Sequence, residues 1–179
     1  MSQQPKKPHV VFMGVSGCGK SSLGWAVTQR LRMPLIEGDD FHSDSNRRKM
    51  SQGIALNDAD RAGWLTELGE QLRRAQQPVG LTCSALKRSY REQLRQAAPG
   101  LCFVFLDLTL DQARERVKAR SAHFFNPALV DSQFATLERP DGEAHVLRLD
   151  ASRALDAMCD SVVAWLGSVR ASASGGASR

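Results

Sequence analysis

Residues 14–21 read Gly-Val-Ser-Gly-Cys-Gly-Lys-Ser and match the pattern G-x-x-x-x-G-K-[ST] of a phosphate-binding loop. The five residues before the loop are apolar and β-prone, and residues 21–31 have a helical pattern that ends before Pro34. Strand, glycine loop and helix in this order form the context in which the motif binds phosphate, because glycine backbones and a helix N-terminus present N–H groups to the anion. The sequence therefore predicts a nucleoside triphosphate site formed by Gly14, Val15, Ser16, Gly17, Cys18, Gly19, Lys20, Ser21 and Ser22.

The last positions of this loop have distinct chemical roles. Lys20 is expected to reach the β- and γ-phosphate oxygens, and the Ser21 hydroxyl is expected to be a ligand of Mg²⁺. A dinucleotide site is the nearest alternative, but Ser22 stands where the G-x-G-x-x-G/A pattern requires glycine or alanine. Lysine also has no role in that pattern, so a triphosphate site is the better interpretation.

Size and composition favour a single enzyme domain. The chain has 179 residues and 42% apolar content, which suits one core. We expect a flexible lead-in over residues 1–8, one domain over 9–170 and a flexible tail over 171–179. No apolar run approaches the length of a membrane span, so the sequence predicts a cytoplasmic protein without a membrane partner.

The cysteines and the charge exclude other classes of protein. The four cysteines form no C-x-x-C pair, so neither a zinc site nor a disulfide framework is expected. Cys18 differs from the other three cysteines, because neighbouring Lys20 and the helix N-terminus would favour its thiolate over its thiol. The net charge of +5 comes from scattered cations, with only three tryptophans and one tyrosine to stack on bases, so no nucleic-acid partner is expected.

Apolar strand-like runs alternate with helical patterns along the chain. This alternation predicts an α/β fold with a five-stranded parallel sheet flanked by helices on both faces. Ligands of such sheets bind at the carboxyl ends of the strands. The predicted strands are residues 9–13, 35–37, 79–83, 101–108 and 145–150, and the predicted helices are 21–31, 57–77, 88–97, 111–120, 127–137 and 154–168.

Glu37 and Asp39 follow the second predicted strand at this edge. Two residues apart, their side chains point the same way if the strand continues through them. Beside a magnesium–triphosphate site, one carboxylate would steady the metal's water shell, and the other would orient a hydroxyl and accept its proton. We assign the first role to Glu37 and the second to Asp39.

The segment after the second strand resembles gluconokinases of the small P-loop type, whose pattern is G-D-x-x-H-P-x-x-N-x-x-K-M-x-x-G-x-P-L-x-D-x-D-R-x-x-W-L. Ser43 and Ala55 replace two prolines of this pattern, which loosens a substrate loop, and Glu37 stands where the related shikimate kinases have aspartate. The resemblance spans roughly residues 10–166. The matching positions are Gly38, Asp39, His42, Asn46, Lys49, Met50, Gly53, Leu56, Asp58, Asp60, Arg61, Trp64 and Leu65, with further matches in residues 83–91, 123–124 and 132–138.

The resemblance implies that ATP phosphorylates D-gluconate to 6-phosphogluconate, on a fold like that of shikimate and adenylate kinases. Gluconate has one carboxylate, which requires cations, and several hydroxyls, which require carboxylates, amides or imidazole. The residues that the resemblance assigns to gluconate are Asp39, His42, Lys49, Arg61, Lys87, His123 and Gln133.

The resemblance also implies a mobile lid around residues 121–123. Arg116 and Arg120 are four residues apart on the helix before it, and therefore lie on one face. By analogy Arg116 would lie near the adenine, and Arg120 would stabilise charge on the transferred phosphoryl group. The catalytic residues would then be Lys20, Asp39 and Arg120. Relatives are often dimers, so a homodimer is an expectation.

Three other functions remain as alternatives. The nearest is a kinase for shikimate or another small sugar acid, which the same residue types would serve. A GTP-dependent switch is disfavoured because residues 60–63 spell D-x-x-G inside an amphipathic helix and no N-K-x-D motif occurs. A nucleic-acid-dependent ATPase is disfavoured by the few aromatic side chains.

Overall fold

The computed structural model describes residues 8–120 and 127–175. Helices and strands alternate along the chain as predicted. The strands are β1 (Val10–Met13), β2 (Leu35–Glu37), β3 (Gly80–Thr82), β4 (Cys102–Asp107) and β5 (Val146–Asp150). The helices are α1 (Lys20–Leu31), α2 (Asp44–Ser51), α3 (Asp58–Arg74), α4 (Arg88–Ala97), α5 (Leu110–Arg120), α6 (Pro127–Thr136) and α7 (Leu155–Gly175), with a 3₁₀ turn at Gly38–Phe41.

The five strands form one parallel sheet in the order β2-β3-β1-β4-β5. Strand β1 therefore lies at the centre, with Val11 opposite Leu81 of β3 and Phe103 of β4. The carboxyl end of β1 leads into the phosphate loop, and its neighbour β3 lies between it and β2. This order brings the loop and the residues after β2 to the same edge of the sheet.

Each face of the sheet has its own apolar core. Phe12 and Val104 pack with α1, α5 and α7 on one face, whereas Val11 and Phe103 pack with α3 and α4 on the other. The central strand is fully buried on both faces, which explains why its sequence is continuously apolar rather than alternating.

Most element boundaries lie within one residue of the prediction, but the ends of two helices differ by more, and one helix was not predicted. Helix α3 begins after Asn57, whose side chain and Asp60 form a capping box, but it ends at Arg74 rather than at residue 77. Helix α2 was not predicted, because its eight residues contain no apolar stripe and only Ser43, which accepts from the Asn46 N–H, marks its start. Helix α7 runs to Gly175, since the alanines and serines after residue 168 are tolerated in a helix. Residues 171–175, predicted as tail, are therefore helical.

None of the helices in ranges 8–120 and 127–175 is long and apolar enough to cross a membrane. The same ranges contain no group of three or more His, Cys, Asp or Glu side chains arranged to hold a metal ion.

Candidate active site

The phosphate loop adopts the backbone conformation that its glycines permit. Gly14, Gly17 and Gly19 have φ values of 145°, 80° and 97°, a region that other residues rarely adopt. A Cβ atom on Gly14 would lie 2.8 Å from the Leu106 carbonyl oxygen, so the loop can pack this closely on β4 only with glycine there. The Lys20 ammonium, at the first turn of α1, donates to the Gly14 and Val15 carbonyls at 3.1 and 3.0 Å.

Three oxygen-bearing side chains meet beside this loop. The Ser21 hydroxyl donates to Glu37 Oε2 at 3.0 Å, and the Thr82 hydroxyl donates to the same oxygen at 2.6 Å. The Thr82 hydroxyl also accepts from the Gly38 N–H at 3.2 Å. Hydroxyl and carboxylate oxygens are the ligands that Mg²⁺ prefers, so the side chains of Ser21 and Glu37 have the chemistry of the predicted metal site.

Asp39 reaches the cleft by a different route from the predicted one. Strand β2 ends at Glu37, and Asp39 lies in the 3₁₀ turn, so the two-residue spacing of a strand does not set its direction. The condition stated for a shared direction, a strand that continues through Asp39, is therefore not met, because Gly38 turns the backbone against β3. The Asp39 carboxylate nevertheless lines the same cleft as Lys20, and its side chain is 88% exposed.

His42 lies beside Asp39 and is almost fully buried. Its Nε2 is 3.8 Å from Asp39 Oδ1, and its ring stacks on the Trp64 indole with centroids 4.2 Å apart and an interplanar angle of 17°. Burial lowers the pKa of His42, and the positive charges of Arg61 and Arg47 lower it further, although Asp39 acts in the opposite direction. The imidazole is therefore held in its neutral form, which both donates and accepts hydrogen bonds.

Arg61 places a buried cation in the wall of the cleft. Its side chain lines the cleft, its residue is only 7% exposed, and its Nε donates to the Leu56 carbonyl at 3.3 Å. The guanidinium carbon lies 5.8 Å from the centre of the Tyr90 ring. A guanidinium in this position can bind a carboxylate through paired hydrogen bonds.

The two predicted lysines are each paired with an aspartate. Lys49 donates to Asp60 at 2.6 Å, and Lys87 donates to both oxygens of Asp58 at 2.8 and 2.9 Å. These hydrogen bonds lower the pKa of each aspartate. Neither lysine lines the cleft itself. Lys87 lies close to Arg61, because the cationic groups of both side chains are 5.8 Å from the centre of the Tyr90 ring. Lys49 is bound to Asp60, a carboxylate that the charge of Arg61 also reaches.

Helix α6 closes the opposite side of the cleft. The Gln133 side-chain oxygen accepts from the Ser16 N–H of the phosphate loop at 2.6 Å. Gln133 therefore contacts the nucleotide side of the site while also lining the cleft. The residues that line the cleft are Ser16, Lys20, Asp39, His42, Met50, Ala55, Leu56, Arg61, Trp64, Ser84, Leu129, Ser132 and Gln133.

Arg116 of α5 bridges two loops at the same edge of the sheet. Its guanidinium donates to the Ala151 carbonyl at 2.7 Å and to the Cys18 carbonyl at 3.5 Å. It thus connects the phosphate loop with the segment after β5. The Arg120 side chain, His123 and the predicted lid lie outside the described residues.

Cys18 is closed to solvent in this structure. It is 1% exposed, with its sulfur 3.9 Å from the Lys20 ammonium and packed beneath Gly14. Cys83, Cys102 and Cys159 are also buried and free. Burial raises the pKa of Cys83 to about 12 and that of Cys102 to about 11. Closure to solvent restricts the access of oxidants and thiol reagents to the Cys18 sulfur.

Known proteins with similar sequences decide the family. Residues 10–140 match the family model described as an AAA domain. A gluconokinase of Gluconobacter oxydans is 40% identical over 166 residues, covering 90% of this chain and 93% of the relative. The chain belongs to the gluconokinase family. A thermoresistant gluconokinase of Escherichia coli is 38% identical over 86% of this chain and 90% of its own length.

Solved structures agree with this membership. A gluconokinase from Sinorhizobium meliloti superposes with a TM-score of 0.89 at 41% identity, covering 98% of this chain and 99% of that one. An APS kinase of Mycobacterium tuberculosis and a shikimate kinase of Acinetobacter baumannii, at 23% and 16% identity, share the fold with TM-scores of 0.67 and 0.62. The predicted P-loop kinase fold is confirmed, and this gluconokinase family member is a phosphotransferase.

Several residues of the gluconokinase cleft were not predicted as site residues. Trp64 belongs to the matching pattern, and that match was the signal that could have found it. Ser84, after β3, and Ser132, on α6, line the cleft as well, and they lie in the segments 83–91 and 132–138 that also match the family. Thr82 gave no signal, because a threonine at the end of a buried strand is ordinary and its two hydrogen bonds depend on the tertiary fold.

Proposed function

We propose that this chain transfers the γ-phosphoryl group of ATP to D-gluconate and forms 6-phosphogluconate. The observation that carries the proposal is one cleft in which the phosphate-loop lysine, an exposed carboxylate and a buried guanidinium face the same space. The lysine suits the phosphate donor, the carboxylate suits a reacting hydroxyl, and the guanidinium suits the carboxylate of the substrate. Relatives named gluconokinase at 38–40% identity support the choice of substrate.

The loop and Lys20 would bind the donor. Backbone N–H groups of the phosphate loop surround the phosphates, and the Lys20 ammonium moves from its carbonyl partners to the β- and γ-phosphate oxygens. Hydrogen bonds to phosphate carry more energy than those to neutral carbonyls, because the acceptor is charged. Arg116 would border the adenine, and Arg120 would contact the transferred phosphoryl group.

Asp39 would orient the acceptor hydroxyl and take its proton. Its exposed carboxylate needs no rearrangement to meet a hydroxyl, and the transition state of phosphoryl transfer is loose, so alignment matters more than basicity. The attacking oxygen forms the new bond to phosphorus as the bond to the leaving ADP oxygen breaks. The hydroxyl proton passes to Asp39.

The remaining cleft residues would bind gluconate and fix its orientation relative to the γ-phosphate. Arg61 binds the carboxylate, and neutral His42 hydrogen-bonds a hydroxyl. The Gln133 amide group is available to another hydroxyl, while its oxygen is bonded to the phosphate loop. Lys49 and Lys87 take part only if substrate draws them from Asp60 and Asp58, and His123 contributes from the lid.

Ser21 and Glu37 would hold Mg²⁺. The ion neutralises charge on the β- and γ-phosphates when it is bound with the nucleotide. Ser21 would supply a hydroxyl ligand. Glu37, which accepts a hydrogen bond from the Thr82 hydroxyl, would accept further hydrogen bonds from the waters around the ion.

A coupled assay tests the substrate assignment. Purified protein with magnesium and ATP is given gluconate, shikimate or other sugar acids, and ADP release is followed with pyruvate kinase and lactate dehydrogenase for every acceptor. The product formed from gluconate is then identified with 6-phosphogluconate dehydrogenase. We expect turnover with gluconate at a kcat/KM far above that of the other acids, and none with the Lys20→Ala variant. Preferred phosphorylation of shikimate or another sugar acid would replace gluconate as the substrate.

We infer that gluconate and ATP are the ligands of the folded enzyme, which acts in the cytoplasm without a nucleic-acid or membrane partner. A homodimer is part of the proposal, by analogy with the family. Light scattering coupled to size-exclusion chromatography separates a species near 20 kDa from one of twice that mass, given a chain of 19.6 kDa.

A further inference from the structure

The peptide groups of Gly38 are held on both sides by side chains. Its N–H donates to the Thr82 hydroxyl at 3.2 Å, and its carbonyl accepts from the Trp64 indole N–H at 2.7 Å. The two partners belong to β3 and α3, so hydrogen bonds connect the turn to a strand on one side and to a helix on the other. A Cβ atom on Gly38 would lie 2.1 Å from the Thr82 carbonyl oxygen, so only glycine allows this approach.

Asp39 follows directly and has no comparable support of its own. Its side chain is 88% exposed, and its carboxylate approaches His42 Nε2 only to 3.8 Å, which is beyond hydrogen-bond distance. The position of its carboxylate therefore depends on the backbone of the turn. That backbone is fixed in turn by the hydrogen bonds to Gly38.

Trp64 contacts the neighbouring substrate residue through its other surface. The indole is 4% exposed, and its face stacks on the His42 ring at a centroid distance of 4.2 Å. On its far side His42 approaches the Asn46 amide at 3.5 Å, and that amide donates to the Asp60 carbonyl at 2.8 Å. One indole thus holds the Asp39 turn by its edge and the His42 imidazole by its face.

We propose that Trp64 is the positioning residue of this active site, setting Asp39 for phosphoryl transfer through Gly38 and His42 for substrate binding through the ring stack. This inference rests on the proposed function. Trp64 itself need not touch the reacting atoms. The two contacts act on different steps, because Asp39 bears on the transition state and His42 on the bound substrate.

Two substitutions separate the two contacts. Trp64→Phe keeps an aromatic face for His42 but removes the N–H that holds Gly38, so kcat should fall about tenfold with the KM for gluconate little changed. Trp64→Leu removes both contacts, so kcat should fall about a hundredfold and the KM for gluconate should rise. The KM for ATP should stay within about twofold of wild type in both variants.

Leu72→Ala is the matched control for lost packing. Leu72 lies on the same helix and is 1% exposed in the same core, but it does not line the cleft. This variant should lower the melting temperature while kcat and both KM values stay within about twofold of wild type. Wild-type kcat in folded Trp64→Phe, or an equal loss of kcat in Leu72→Ala, would overturn the inference.

Fluorescence tests the ring contact without any turnover. In a Trp25→Phe, Trp165→Phe background, Trp64 is the sole tryptophan, and a protonated imidazole in contact with indole quenches its emission. We expect emission to fall as His42 is protonated at acid pH, and His42→Asn to abolish that change. Emission independent of pH would overturn the stacking role. If wild-type protein fails to phosphorylate gluconate, the proposed function fails, while this titration still decides the contact.

Discussion

The proposed chemistry can be tested most directly by substituting Asp39. Asp39→Asn keeps the shape of the side chain but cannot accept the hydroxyl proton. We expect kcat to fall by roughly 10²–10⁴, with the KM for ATP nearly unchanged, because the phosphate loop is intact. Steady-state kinetics with saturating ATP and gluconate give both values. Wild-type turnover in this variant would remove Asp39 from the catalytic residues.

Thr82 has a role that only the tertiary structure reveals. Its hydroxyl holds Glu37 Oε2 at 2.6 Å, the oxygen that also accepts from Ser21. Thr82→Val keeps the shape and frees that carboxylate, so we expect a higher Mg²⁺ concentration for half-maximal rate and weaker Mn²⁺ binding by electron paramagnetic resonance in the presence of nucleotide.

The control for that experiment lies on the surface. Thr66→Val makes the same chemical change at an exposed position of α3, where the hydroxyl bonds only within its own helix turn and to Gln93. Its metal dependence should equal that of wild type. Equal metal dependence in Thr82→Val would show that Glu37 does not rely on this hydroxyl.

His42 makes stability depend on pH in a definite direction. Its folded-state pKa is lowered, chiefly by burial, so the unfolded chain binds the proton more tightly. Its contribution is therefore complete above about pH 6.5 and is lost as pH falls toward the lowered folded-state pKa. Urea unfolding at several pH values should show this decline, and His42→Asn should reduce its slope. Burial lowers the pKa of His9 as well, so part of the slope should remain.

At the scale of elements, a buried ion pair fixes the loop between β3 and α4. Arg91 is fully buried, donates to the Ala85 carbonyl at 2.8 Å, and forms hydrogen bonds with both oxygens of Glu143. Burial alone would raise the pKa of Glu143, but hydrogen bonds from Arg91 and Arg95 outweigh it and lower the pKa.

Breaking that pair should be costly. Arg91→Leu leaves Glu143 buried without its main partner, so we expect the free energy of unfolding to drop by about 3–5 kcal/mol. Chemical denaturation measures the loss. Asp160→Asn, which breaks an exposed ion pair with Arg30 between α1 and α7, should change stability far less. Similar losses in the two variants would mean that burial adds nothing at Arg91.

Some elements of the fold can be predicted from the sequence, and others cannot. The inner strands β1, β3 and β4 could be predicted because burial on both faces demands continuous apolar runs. Helix α3 could be predicted because its capping residue precedes a clear apolar stripe. Helix α2 could not, because its polar residues give no period and it is held by Ser43 and by the Asn46 contact to α3. The turn at Asp39 was missed for a related reason, since it depends on how closely Gly38 approaches β3.

At the scale of the whole molecule, ligand binding should stabilise the fold. A ligand at a hundred times its Kd adds about 2.7 kcal/mol, or about 5–10 °C in Tm for a chain of this size. We expect magnesium and ATP to raise the Tm of wild type and of Asp39→Asn alike, but not that of Lys20→Ala. Differential scanning fluorimetry measures this. A full shift in Lys20→Ala would contradict the role of the phosphate loop.

The site as a whole was predictable where one motif or one sheet edge determines it. Parallel topology brought the loop and Asp39 to one edge, as expected, and the family pattern identified His42 and Arg61. The sequence could not predict which carboxylate each lysine pairs with. Lys49 and Lys87 carry the charge that would suit a substrate carboxylate, but they form ion pairs with Asp60 and Asp58. Which carboxylate is nearest depends on the packing of α2, α3 and α4, and no local pattern encodes it.

The burial of all four cysteines has a practical consequence. Each is at most 1% exposed, so thiol reagents should label the native enzyme slowly at every natural position. A single cysteine introduced on the exposed surface of α2, and another on α6, would then accept a donor and an acceptor dye with no need to remove the natural thiols. Energy transfer between such dyes would report how the two walls of the cleft move while the enzyme turns over.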